Sequence, residues 1–377
     1  MESMKSRIMR NVVNIPGWST TRRILVIESD DWGSERVRSN EDTEALEKAG
    51  FDLSDTSFYR YDGLETDDDV RGLLEVLSKY KDRNGNHPVF TLACNVANPD
   101  YERIKATNFK EYHYIRSKQA CSEDPRRKNV FDLHKEGINK GLTYPVFHGR
   151  EHLNVQRWLR LLQIKDPSVS LLFEHGSCNY IYGINKQFLG ELPAAFDLEF
   201  ASDLDYQREV IADGLELFRK TWGYESRYFI MPNGPINNQL EKDTYSKGVQ
   251  FLLGDRRQNE PLGDGKYKKH LRWIGNRNQF GQYYLTRNGF LEPGVVEAGL
   301  CNDTLEKGLL AVERAFRWRK PAIISSHRIN YIGFLNPEVR DKGLKTLDLF
   351  LAAVLKRWPD VEFMNSVQLG NLIAKKK

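Results

Sequence analysis

The chain has 377 residues, 40% of them apolar, enough to bury a sizeable core, which excludes a disordered polypeptide. Its 56 Lys and Arg nearly balance 52 Asp and Glu, and a net charge of +4 over this length does not point to nucleic acid as a partner. Cys94, Cys121, Cys178 and Cys301 show no C-x-x-C spacing, so neither a disulfide framework nor a zinc ribbon is indicated, and with no signal-like h-region in Met1–Gly17 and no apolar run of 18 residues the expectation is a cytoplasmic protein without membrane attachment.

Short apolar runs rich in β-branched and aromatic residues alternate with longer amphipathic stretches, the pattern of βα units in a parallel sheet or barrel. In chain order the expected strands are Arg23–Ser29, Pro88–Asn95, Thr143–His148, Arg227–Asn233, Val249–Gly254, Gln282–Arg287, Ala322–His327 and Val361–Asn365. Between them, apolar residues at three- and four-residue steps predict helices over Asp68–Tyr80, Leu153–Leu162, Asp205–Trp222, Thr304–Trp318 and Gly343–Trp358. No flexible linker or fixed-period repeat interrupts this, so one catalytic α/β-barrel domain over 1–377 is expected, its core at about 20–373. The charged stretch 107–128 reads as an insertion on the substrate side, and the polar, Gly-containing stretch 259–269 as a surface loop.

In α/β barrels reactive groups sit at the C-terminal ends of strands. There the first run ends in Asp30-Asp31-Trp32-Gly33, the third in His148-Gly149-Arg150-Glu151-His152, the fourth in Pro232-Asn233-Gly234, and the seventh in Ser325-Ser326-His327-Arg328. Two adjacent carboxylates after a buried strand repel unless a cation or shared proton relieves them, although a turn or N-cap pair would look the same. His148 and His152 have the H-x₃-H spacing with which two imidazoles bind one ion, or they are a hydrogen-bonded structural pair. The same five residues spell H-x-x-E-H, the inverted zinc-peptidase signature, but that motif needs a helix interior, and Pro145 and Gly149 favour a strand end. His327 lies where an apolar strand opens into polar residues, fit for a titrating imidazole or for a core histidine satisfied by Ser325 or Ser326. A serine triad of Ser326, Asp255 and His327 is disfavoured because no G-x-S-x-G elbow surrounds a serine.

Taken together, these motifs resemble the polysaccharide deacetylases, the NodB-homology group of the fourth carbohydrate esterase family. The Asp30-Asp31 strand end matches the first family motif, His148-Gly149-Arg150-Glu151-His152 the second, H-[ST]-x-x-H, and Ile324-Ser325-Ser326-His327 the last. The resemblance implies a distorted (β/α)₇ barrel. It implies a metal-dependent hydrolase that removes an acyl group from a carbohydrate, with Asp30 as general base, His327 as general acid and Asp31, His148 and His152 as metal ligands. The implied cofactor is a divalent ion, Zn²⁺ in the first place, with Co²⁺, Ni²⁺ or Mn²⁺ as alternatives. The implied partner is an N- or O-acetylated glycan, with neither nucleic acid nor membrane, and the oligomeric state is left open. Where the family's third motif carries an Arg that tethers the catalytic Asp, this chain has Ile230, so Arg150, Arg227, Arg256 or Arg287 would have to supply the guanidinium. Trp32, Arg150, Asn233 and Tyr331 are the candidate substrate contacts, with Phe334, Asn95, Asn98 and Asn330 nearby. Two other readings fit the same pattern: a barrel that binds glycan without catalysis, and a hydrolase of non-sugar C–N bonds.

Overall fold

The computed structural model describes residues 11, 14–53, 60–293 and 304–375, so Cys301 and most of the stretch 1–17 lie outside the described residues. Nine strands form one parallel sheet. They are β1 (Ile24–Trp32), β2 (Phe90–Cys94), β3 (Thr143–Phe147), β4 (Tyr228–Phe229), β5 (Phe251–Leu253), β6 (Tyr283–Leu285), β7 (Gly289–Phe290), β8 (Ala322–His327) and β9 (Glu362–Phe363). Their hydrogen-bonded order is β6-β5-β4-β3-β2-β1-β8-β7, with β9 beside the start of β1. The sheet curls without β6 pairing to β7, the open form of a distorted β/α barrel.

β1 runs between β2 and β8 and is buried at all nine positions, which explains its unbroken apolar run: both faces are covered. Its side chains alternate between two cores. Leu25 and Ile27 pack outward with helix residues such as Leu73, Phe218 and Leu347. Ile24 and Val26 pack on the other face with Val146, Ile230 and Ile323, and the helix Ser366–Lys375 lays Val367, Leu369 and Ile373 onto them. The acidic run Asp67–Asp69 opens the helix Asp67–Ser78, where Thr66 and Asp69 form a capping box.

All eight expected strands are present, some of them shorter than expected. β4 pairs only through Tyr228 and Phe229, because Pro232 brings no amide hydrogen and Asn233 turns into left-handed space at φ 53°. β7 was not expected; a two-residue strand leaves no periodic signal. The stretch 259–269 is not an irregular loop but most of an antiparallel hairpin, Arg257–Gly263 paired with Lys266–Leu271, turning through Asp264 and Gly265 at positive φ. The stretch 107–128 does not line the cleft described below. It carries Tyr114–Arg116, paired with Ala97–Pro99, and the helix Ser117–Ser122, whose Ser117 Oγ donates to the Gly33 carbonyl at 2.8 Å, so it braces the loop after β1. Cys94, Cys121 and Cys178 are buried free thiols, and no helix among the described residues is long and apolar enough to cross a membrane.

Candidate active site

The end of β1 is built to turn a carboxylate inward. The pairing of β1 with β2 shifts register between Ser29 and Trp32, and within that irregularity Asp31 adopts φ 76°, a left-handed conformation that Asp tolerates better than most residues. Gly33 follows at φ 78°, and a Cβ there would sit 2.5 Å from the Asn95 carbonyl. Asp30, one residue earlier, is the register partner of His327 in β8, which sets the two side by side across neighbouring strands.

At the end of β3 the chain leaves the sheet as bends rather than as a helix, and Gly149 sits at φ 100° with Glu151 O only 3.1 Å from where a Cβ would be. A Ser or Thr at this position would therefore be strained. The inverted zinc-peptidase reading fails on this geometry and on Glu151, whose carboxylate is taken by Arg150 at 2.7 and 3.2 Å. His148 and His152 instead meet Asp31. Asp31 Oδ1 lies 3.4 Å from His148 Nε2 and 3.2 Å from His152 Nε2, and one donor atom from each residue falls within 4.8 Å of the others.

His148 Nδ1 lies 2.7 Å from the Ile230 carbonyl, which requires the proton on Nδ1; in the neutral imidazole this leaves the Nε2 lone pair facing Asp31. Among the described residues that buried Nε2 has no hydrogen-bond partner. A buried lone pair beside a carboxylate and a second imidazole is the donor set a divalent cation takes, so the residues fit a metal ion. Arg36 also reaches this group, with Nη2 3.0 Å from Asp31 Oδ1 and 3.4 Å from His152 Nε2. Burial pushes the Asp31 carboxyl up, but the Arg36 charge, with the facing imidazoles of His152 and His148, outweighs it and holds the group well below the usual carboxylate range. Burial and the Arg36 charge together push the His152 imidazole well below its ordinary value.

Of the four candidate arginines, Arg287 is the one that reaches Asp30. Its Nη2 and Nη1 donate to Asp30 Oδ1 and Oδ2 at 2.6 and 2.7 Å, and its Nε donates to the buried Glu28 at 2.6 Å. Glu28 in turn accepts from Ser366 Oγ at 2.6 Å. Arg150 is committed to Glu151 and Asp213, Arg227 to Gln250 and Asn371, and Arg256 to Asn14. Burial raises the Asp30 carboxyl, and Arg287, by charge and hydrogen bonds, brings it back below its usual range. On the other side, His327 Nδ1 bonds Glu292 at 2.7 Å while its Nε2 lies 3.9 Å from Asp30 Oδ2. Burial opposes charge on His327, but Glu292 outweighs it, with Asp31 and Asp30 adding to the effect, and the imidazole is pushed up to about 9.

These groups line a cleft of about 440 Å³ whose apolar wall is Ile181, Met231, Leu253 and Phe290, with Asn233 and Asp255 on its polar side. Asn233 is among the residues that line the cleft. Trp32 is not: it is 1% exposed, donates to Ser29 Oγ at 3.0 Å and packs edge-on against His134. The register shift that turns Asp31 inward sends Trp32 into the outer core. Tyr331 is likewise fully buried, sharing a hydrogen bond with Ser326, and Arg150 is buried in its ion pairs, so none of these three lines the cleft. Phe334 carries the stacked guanidinium groups of Arg126 and Arg127 rather than a wall of the cleft. Asn95, Asn98 and Asn330 spend their amides on the carbonyls of His148, Gly33 and His327. Sequence reasoning missed Arg36 and Glu292. Glu292 does follow a short apolar stretch at a strand end, a signal of the same kind as the others, but Arg36 has no spacing that would single it out.

No protein-family model matches the chain, and no curated protein matches it in sequence. Solved structures of similar shape include a protein named as a glycoside hydrolase/deacetylase from Parabacteroides distasonis, with a TM-score of 0.49 and 9% identity over 96% of this chain and 74% of that one. A protein named as a polysaccharide deacetylase from Mycobacterium smegmatis gives 0.45 and 11% identity over 96% and 93% of the two chains, and Puue allantoinase 0.42 and 14% over 95% and 91%. These structural neighbours are deacetylases and an allantoinase at low identity and with scores below 0.5, so the assignment of the fold rests on the strand order and register of this chain.

Proposed function

We propose that this chain is a metal-dependent hydrolase that removes an acyl group, in the first place acetyl, from a carbohydrate. The observation that carries the proposal is the convergence of Asp31, His148 and His152, from two strand ends far apart in sequence, on one buried point beside Asp30. Those three residues would hold the ion, for which Zn²⁺ is the first candidate; when bound, such an ion supplies Lewis-acid polarisation of an acyl oxygen and acidifies water. Asp30 is held ionised and oriented by Arg287, ready to accept a proton at a carboxylate oxygen. His327, protonated at neutral pH through Glu292, presents Nε2–H to the same space and can donate to a departing amine or alkoxide. The apolar wall of Met231, Leu253 and Phe290 suits the acyl methyl and limits water. The carbohydrate class rests on the motif resemblance, and a non-sugar amide would use the same groups.

Metal analysis of the purified protein with a screen of acetylated sugars tests this. About one divalent ion per chain and metal-dependent release of acetate are expected; a protein that takes up no ion is not this enzyme. One observation favours a second reading, a barrel that binds glycan without metal: the Arg36 guanidinium already neutralises Asp31.

A further inference from the structure

We propose that Arg36 is a resident cation that competes with the metal for Asp31 and His152 and so sets how tightly the site holds its ion. The inference rests on the reading of Asp31, His148 and His152 as a metal site. Arg36 is 5% exposed and spans two carboxylates: its Nη2 is 3.0 Å from Asp31 Oδ1, and its Nε is 3.2 Å from Asp62 Oδ2. The same Nη2 is 3.4 Å from His152 Nε2.

The competition follows from the count of lone pairs. A neutral imidazole has one acceptor nitrogen, so His152 Nε2 can accept from the guanidinium or bind an ion, not both. Asp31 has two oxygens and could serve both, but Arg36 stands on Oδ1, the oxygen nearest both histidines. A divalent ion beside a fixed guanidinium in a buried site meets strong like-charge repulsion. The guanidinium therefore replaces the ion's charge at two of the three donors while leaving His148 Nε2 without a hydrogen-bond partner among the described residues.

Asp62 makes the withdrawal of Arg36 feasible. It is fully buried, already ion-paired with Arg36, and held from the other side by Arg328 at 2.5 Å. Arg36 can leave His152 by turning toward Asp62, so its charge is never stranded in the interior. In this two-position picture the apparent metal affinity is the intrinsic affinity multiplied by the fraction of molecules in which Arg36 has withdrawn.

The test is calorimetric titration of the metal-free full chain with Co²⁺ and Zn²⁺, without reference to activity. Arg36→Met, similar in reach and uncharged, is expected to bind at least about tenfold more tightly than wild type, as it would if the site were open in roughly a tenth of molecules. Asp62→Asn removes the seat to which Arg36 retreats and is expected to bind about tenfold more weakly. Opposite signs in two neighbouring variants would not come from general loosening, and the urea midpoints of both metal-free variants check that each is folded. Equal affinity in wild type and Arg36→Met, or weaker binding in Arg36→Met, overturns the competition and leaves the metal site standing. If neither protein binds an ion, the metal site and the competition fall together.

Discussion

Arg287 holds both carboxylate oxygens of Asp30, at 2.6 and 2.7 Å, across 257 residues of chain. A fork of two parallel hydrogen bonds fixes the plane of the carboxylate as well as its charge, which a single ammonium cannot do. It also makes Asp30 a weaker base, since its carboxyl is held below the usual range. Arg287→Lys should keep the charge and lose the plane, lowering kcat by about 10- to 100-fold with little change in KM. Arg287→Met should also move the acid limb of the pH–rate profile upward, as Asp30 then protonates at a higher pH. Full activity in Arg287→Lys would show that the orientation of Asp30 is not what the fork provides.

The His327–Glu292 pair sets the alkaline side. With the imidazole pushed up to about 9, activity that requires its proton should persist through neutrality and fall as pH rises through about 9. The sign for stability is the same: a raised pKa stabilises the fold fully below the unfolded value of about 6.5, and that contribution is lost as pH rises through about 9. Glu292→Gln keeps a hydrogen-bond acceptor and removes the charge, so the alkaline limb should drop toward the ordinary imidazole value of about 6.5. NMR titration of His327 in both proteins reads this directly, and an unmoved titration would exclude Glu292 as the cause.

The strand ends were legible because a parallel sheet buried on both faces requires unbroken apolar runs, and whatever polar residue follows such a run lies at the open end of the sheet. That logic located Asp30, His148 and His327 without coordinates. It misplaced Trp32 because a register shift is a backbone event with no side-chain signature: one unpaired residue inverts the faces of those after it, so Asp31 entered the cleft and Trp32 the core. Arg287 was one of four arginines on equal footing because the tether arises from pairing between distant strands, not from spacing. Arg36 could not be found at all, since its role depends on how the loop after β1 folds back beside Asp31.

Removal of the metal ligands should separate binding from turnover. His148→Ala and His152→Ala are each expected to lose the ion and at least about a hundredfold in kcat/KM, whereas Asp30→Asn should keep the ion and lose turnover. Because a bound ion stabilises only the folded chain, metal at about 100 times its Kd should raise stability by about 2.7 kcal/mol, and a chelator should reverse it. Thermal unfolding with and without Zn²⁺ in the three variants checks the pattern. A metal-dependent rise retained in His148→Ala would place the ion elsewhere.

The loop that carries Asp31 depends on a buried ion group beneath it. Arg328 is fully buried and joins Asp62 at 2.5 Å to Glu65 at 2.7 Å, and Glu65 also accepts the Gly33 amide at 3.1 Å. Arg328→Met would leave Glu65 without its buried cation and Asp62 with Arg36 alone. Burial already pushes the Asp62 carboxyl up against the pull of Arg328 and Arg36, so with Arg328 gone its protonation is the cheapest relief. The expected cost is about 3–5 kcal/mol, read as a lower urea midpoint at neutral pH. Part of it should be recovered as the pH is lowered and the Asp62 carboxyl takes up a proton. Double replacement of Arg328 by Met with Asp62 by Asn should recover part of the loss at neutral pH for the same reason. A loss below about 1 kcal/mol in Arg328→Met would mean that water reaches these carboxylates and that the loop after β1 is held by packing alone.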